Sequence, residues 1–168
     1  TTIYPQEYGN VNDLVVPDNG CNLGYAFKYY RGNKITIKGT HRMSDAFRNA
    51  DGLKVVDLSE CINDGYINNL FLGSSVEEVI LGKDFVFNWI NIFKGSKLRT
   101  ITFPEGITQP SDFDGFFDNL EYLEYVDIPS NFTKMPYFDG CVNLKTIICR
   151  IVTAPYTSEY DSDGYFGA

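Results

Sequence analysis

The chain has one histidine, His41, one tryptophan, Trp89, and two methionines among 168 residues. No P-loop, GxGxxG, GxSxG or HExxH motif occurs, so the sequence offers no phosphate cradle, dinucleotide turn, nucleophile elbow or zincin helix. Its four cysteines, Cys21, Cys61, Cys141 and Cys149, form no CxxC. With a single histidine beside them, the sequence argues against a structural zinc site. No apolar run approaches the ~20 residues that cross a bilayer. A leader-like opening is missing too, as it would be from a mature or trimmed exported chain. Basic residues are scarce, 14 against 22 acidic, for a net charge of −8. That balance argues against nucleic-acid binding through phosphate contacts. The imbalance grows along the chain: residues 1–54 carry 7 Lys/Arg and 5 Asp/Glu, 55–100 carry 4 and 6, and 101–168 carry 3 and 11. A solvated acidic surface explains this gradient. The sharper reading is an acidic docking end for a basic partner or a cation.

Phenylalanine and tyrosine, by contrast, are plentiful at 13 and 12. Much of this supply follows a repeat. Take the first apolar residue of a short motif as position 0, with apolar residues at +3 and +5. The matches are Val11/Leu14/Val16, Gly32/Ile35/Ile37, Leu53/Val56/Leu58, Val76/Val79/Leu81, Leu98/Ile101/Phe103, Leu123/Val126/Ile128 and Leu144/Ile147/Cys149. Their starts are separated by 21, 21, 23, 22, 25 and 21 residues. Only Gly32 breaks the rule at position 0. A phenylalanine precedes each following start by five or six residues, at Phe27, Phe47, Phe71, Phe93, Phe117 and Phe138. Apolar residues recur at +9, in Ile62, Phe85, Ile107 and Phe132, and proline follows the motif at Pro17, Pro104 and Pro129.

Such a period means a solenoid. Each +3/+5 pair predicts a strand of about 4–5 residues whose alternate side chains point one way. One coil cannot bury its apolar set alone, so stacked neighbours complete the core. Proline after the strand cannot donate to the ladder and ends the pairing. Segments 44–52 and 90–97 look like single helical turns closed by glycine. Cys141 and Cys149 fall on expected core positions, with a disulfide between them left open. Residues 1–10 fit an N-terminal cap or partial repeat, and 11–168 one repeat domain. Phe166 matches the recurring phenylalanine, so the chain stops just before an eighth strand would begin.

Residues 46–58, AF-x-x-A-x-x-LKVVDL, and 138–149, FDGCVNLKTIIC, resemble the BspA-like leucine-rich repeat family. The resemblance covers about residues 8–168, and the segment around Pro155 is similar to the closing repeat of such domains. The sequence departs from the family pattern at Gly32, in its variable repeat lengths, and in aromatic residues at Phe116 and Tyr137. The resemblance implies an α/β solenoid, a right-handed leucine-rich repeat with one parallel sheet of about seven strands on its concave side. Short helical or 3₁₀ turns would line the convex side. It also implies an extracellular or surface-displayed bacterial protein and carries over no catalytic residue.

Positions +2 and +4 should face outward on the sheet. At +2 they are Asp13, Lys34, Val55, Glu78, Thr100, Tyr125 and Thr146; at +4, Val15, Thr36, Asp57, Ile80, Thr102, Asp127 and Ile148. Ordinary β-propensity explains most of them. The functional reading is a shallow recognition surface built from Ile80, Thr100, Thr102, Tyr125, Asp127 and Thr146, with Tyr125 as aromatic anchor. Its partner would be a host or cell-surface protein or a glycan, bound by a monomer without cofactor or metal. The rival is a structural spacer within a larger surface protein; a carbohydrate-active enzyme ranks below both.

Smaller signals have bland readings. Phe85, Phe87 and Trp89 alternate into the core, unless Trp89 forms a sugar-stacking platform. Asp161 and Asp163 make up only part of a calcium loop, because the later glutamate ligand is missing. Asn131-Phe132-Thr133 is a glycosylation sequon only in a eukaryotic secretory setting. His41 could act as a base on Ser44 only if the two meet. Paired carboxylates such as Asp112 and Asp114 need a cleft to hydrolyse a glycoside, which a shallow sheet face does not offer.

Overall fold

The computed structural model describes residues 11–152 apart from 64, 66, 88–91, 112 and 114. The segment 1–10, Trp89, Asp112, Asp114, Pro155, Asp161, Asp163 and Phe166 therefore lie outside the described residues.

Seven strands form: β1 (Asp13–Val16), β2 (Lys34–His41), β3 (Val55–Asn63), β4 (Glu78–Leu81), β5 (Thr100–Thr102), β6 (Tyr125–Ile128) and β7 (Thr146–Cys149). They make one parallel sheet in sequence order, each strand beside the next. The register puts Leu14, Ile35, Val56, Val79, Ile101, Val126 and Ile147 in a single column. The carbonyl at +1 of a coil takes two N–H groups from the coil after it: Glu77 O from Arg99 and Thr100, Arg99 O from Glu124 and Tyr125. Among the described residues no helix is long and apolar enough to cross a membrane.

β2 and β3 run longer than the motif predicts, to 8 and 9 residues. After a register shift their pairing resumes from Lys38↔Glu60 to His41↔Asn63. β3 absorbs one extra residue there as a bulge. Asn63 then carries the ladder onward with its side chain, donating from Nδ2 to Val86 O (2.7 Å) and accepting at Oδ1 from Val86 N (2.8 Å).

The opposite wall corrects the expectation of helical or 3₁₀ turns: among the described residues no helix forms. The backbone hydrogen bonds give the reason. In the coil from Met43 to Ala50, the N–H groups of Ala46, Arg48 and Ala50 bond back to Met43, Asp45 and Phe47. Those of Asp45, Phe47 and Asn49 reach the next coil, at Asn68, Leu70 and Leu72. Every second donor thus leaves its own coil, and a helix would need all of them. Asp45, Asn49 and Asn69 hold positive φ in these turns, which Asn and Asp tolerate best among residues with a Cβ. A stretch that looks helical in isolation becomes overlapping turns because its neighbour supplies the acceptors.

Between the two walls runs the phenylalanine column. Phe27, Phe47, Phe71 and Phe93 stack face to face, with centroids 5.2, 5.3 and 5.2 Å apart and planes within 14°. The stack breaks after Phe93, where the longest coil is inserted. There Phe116 meets Phe93 edge-on at 5.6 Å, and Phe87, Phe103, Phe113, Phe117 and Phe132 form a herringbone cluster around it. Stacking resumes between Phe117 and Phe138 at 5.3 Å. Phe85 and Phe87 are buried, as their alternation predicts.

Gly32 has a local cause. The buried Tyr30 fills the place that leucine or valine takes at position 0 elsewhere, and its hydroxyl donates to Val11 O at 2.7 Å. A Cβ at residue 32 would collide with that hydroxyl and with the Val11 carbonyl.

One expectation fails at the far edge, and one open question is answered there. Ile147 and Cys149, which the period places in the core, are exposed, because no described residues stack a further coil on β7. Nor do Cys141 and Cys149 form a disulfide: all four cysteines are free. Cys141 Sγ donates to Phe117 O at 3.1 Å, whereas Cys149 Sγ lies 3.5 Å from Met135 Sδ. Burial pushes the Cys61 thiol up to about 12 and raises that of Cys141. A thiol reagent added to the native protein at neutral pH is therefore expected to modify Cys149 alone, with the other three reacting only on unfolding. Fast modification of two or more native thiols would contradict this packing.

Candidate functional site

The outer face of the sheet carries the two predicted columns in the predicted register. Asp13, Lys34, Val55, Glu78, Thr100, Tyr125 and Thr146 form one line, and Val15, Thr36, Asp57, Ile80, Thr102, Asp127 and Ile148 the other. Alternation along each strand sends these side chains out and the +3 and +5 residues in.

Ile80, Thr100 and Thr102 come together. Together with Glu78, Val79, Leu81 and Pro104 they line a depression of about 190 Å³. Thr100 is opposite Glu78, and Thr102 opposite Ile80. Tyr125 and Thr146 follow in the Glu78–Thr100 column; Tyr125 is half-buried and Thr146 exposed.

Asp127 departs from its expected exposure and is buried. Arg150, just past β7, lays its guanidinium over the Asp127 carboxylate and also reaches Glu105 at 3.4 Å. The Tyr125 hydroxyl donates to Asp127 Oδ2 at 3.4 Å, while Oδ1 has no hydrogen-bond partner among the described residues. Replacing Arg150 by alanine leaves this buried carboxylate without its cation. Chemical unfolding is expected to show a loss of about 2 kcal/mol, at the low end for broken buried pairs because Arg150 is itself half-exposed. An unchanged midpoint would show that Arg150 contributes nothing to holding Asp127.

A second ladder, which the repeat motif does not single out, lies beside these columns. At +1 the residues are Lys54, Glu77, Arg99, Glu124 and Lys145, alternating in sign. Lys54 pairs with Glu77, and Glu124 takes both Arg99 and Lys145, the latter at 2.8 Å. Sign alternation at one phase of the repeat is the sequence signal that marks it. Lys145, followed by Arg99, holds the Glu124 carboxyl below its ordinary range. The Ser130 hydroxyl and N–H, with help from Arg150, do the same for Glu105. Burial pushes Asp57 up, but hydrogen bonds from Ser59 and the Lys34 ammonium outweigh it and leave the carboxyl lowered. Carboxyls lowered in the folded state add stability above their unfolded values and lose it as the pH falls through the folded ones. Melting temperature is therefore expected to drop as the pH falls below about 4, less steeply in Glu124→Gln than in the parent.

His41 is buried, and its two ring nitrogens face the Cys21 and Lys38 carbonyls at 3.3 and 2.8 Å. That is a structural tie between coils. Among the described residues no group of three His, Cys, Asp or Glu could hold a metal ion.

Set beside known families, residues 23–145 match the model of the BspA-type leucine-rich repeat region, in 6 copies. The chain belongs to the BspA-type leucine-rich repeat family. No curated protein and no solved structure matches it. Within the BspA-type pattern, the six matched copies run from the coil after β1 to just before β7, and the phenylalanine column from Phe27 to Phe138 and the +1 charge ladder from Lys54 to Lys145 lie inside that span. Both features are thus built from the repeat itself.

Proposed function

We propose that this BspA-type repeat region is a non-enzymatic binding module, displayed outside a bacterial cell, that holds a protein or glycan on the outer face of its sheet. The contact surface is centred on Ile80, Thr100 and Thr102, flanked by Tyr125 and Thr146; Asp127 positions Tyr125 and stays covered. The observation that carries this reading is the depression those three residues share with Glu78, on a face where the nearer carboxylates Asp57 and Asp127 are tied to Lys34 and Arg150. A protein suits this surface better than a glycan. Tyr125 is the one aromatic residue of the two outer columns, and it is half-buried with its hydroxyl turned to Asp127, which leaves less of its ring to a sugar than a fully exposed aromatic would offer.

An array of matrix proteins and glycans, probed with the purified domain and with Ile80→Arg, tests this. Both columns lie on the outer face, so the substitution is expected to leave the fold intact by circular dichroism and to abolish the array signal. A blank array for the parent would favour the spacer reading. A signal equal in both proteins would move the contact surface off this face.

A further inference from the structure

We infer that the depression between β4 and β5 receives one long basic side chain, an arginine or a lysine, of a protein partner. The inference rests on the outer-face reading above and deepens it. Four observations converge. First, Glu78 lines the depression and is an exposed carboxylate with no ion pair among the described residues. Its register partners on either side, Val55 and Thr100, bring it no cation. Nearby carboxylates are neutralised: Asp57 by Lys34, Glu77 by Lys54, Glu124 by Arg99 and Lys145. Second, the depression of about 190 Å³ is open on its outer side and has room for one extended side chain. Third, its wall is graded. Ile80 and Pro104 give apolar contact for a methylene stem, and the Thr100 hydroxyl beside Glu78 gives acceptors for the charged head. Long basic side chains need this division, because their stems pack on apolar surface while their heads keep polar partners. Fourth, the chain's charge of −8 favours approach of a basic surface over an acidic one.

The probe is Nα-acetyl-L-arginine amide, titrated into ¹⁵N-labelled protein with Nα-acetyl-L-citrulline amide as a neutral partner of nearly the same shape. Arginine amide is expected to shift the amide signals of residues 78–81 and 100–102 in a saturable way, and Nα-acetyl-L-lysine amide to shift the same set. Citrulline amide is expected to leave them in place, and Glu78→Gln to weaken the arginine response about tenfold. Equal shifts from citrulline, an unchanged response in Glu78→Gln, or no response at these residues would overturn the inference. The array partner separates this failure from failure of the underlying reading. If Ile80→Arg abolishes its binding and Glu78→Gln leaves it unchanged, the outer face still binds and the basic-side-chain inference falls. If neither substitution changes it, the outer-face reading falls as well.

Discussion

Phe93→Ala is expected to lower the unfolding free energy by about 4 kcal/mol, read from urea or guanidinium transitions. The side chain is 1% exposed and sits where two kinds of packing meet. On one side it stacks on Phe71 at 5.2 Å and 10°, and on the other it meets the edge of Phe116 at 5.6 Å and 77°. Truncation removes the transfer energy of a whole ring and leaves a void between rigid coils that cannot close up. Their spacing is fixed by the sheet ladder on one wall and the turn hydrogen bonds on the other. Phe138→Ala is the internal comparison. Phe138 is only partly buried at the edge of the core, so its loss should cost about half as much. Equal effects at the two sites would mean that the column carries no special weight at its junction, and an effect near zero at Phe93 would contradict the packing outright.

Gly32→Leu, which restores the repeat pattern at the one position that breaks it, is expected to destabilise the protein by about 3 kcal/mol. Repeat logic alone gives the opposite sign. The reason is Tyr30: its ring and hydroxyl already occupy the slot, within 2.7 Å of Val11 O and 3.3 Å of both Asn12 O and Lys34 O. Burial, followed by the nearby Asp13 charge, raises the Tyr30 hydroxyl above its ordinary value, so it stays a neutral donor. A leucine at 32 would overpack this slot and eject the hydroxyl from its carbonyls. A double-mutant cycle with Tyr30→Ala decides the matter. With the ring gone, leucine at 32 should restore much of the loss, and the two substitutions should couple by more than about 1 kcal/mol. Additive effects would show that Tyr30 and position 32 do not compete for one space.

These two positions mark how far the repeat pattern alone reaches. The +3 and +5 residues recur on a near-constant period, so spacing suffices for strand number, order and register, and for the composition of the two outer columns. What spacing cannot supply is the identity of a hydrogen-bond partner one coil away. Residues 44–52 look helical because local propensity is all that a single stretch displays, yet half their donors go to the following coil. Asp127 looks like an exposed acid because Arg150, which covers it, lies 23 residues on in the next coil. Glu78 looks like one rung of a ladder. It becomes a candidate contact only when its neighbours prove uncharged and the adjacent carboxylates prove paired. Ile147 and Cys149 fit the core by phase, but phase assumes a coil on both sides. The candidate site is therefore legible in the sequence as a face and as the trio Ile80, Thr100 and Thr102, while its electrostatics depend on contacts between coils.

The central claim is that the coils lie in register, so that each is buried only by its neighbours. Methyl NOE spectroscopy on isoleucine-, leucine- and valine-labelled protein tests it most directly. The expected result is an unbroken chain of contacts, Ile35 to Val56 to Val79 to Ile101 to Val126, with Ile147 at its exposed end. Absence of the Ile101–Val126 contact, with either methyl group instead reporting a non-adjacent coil, would contradict the architecture and the outer-face site built on it.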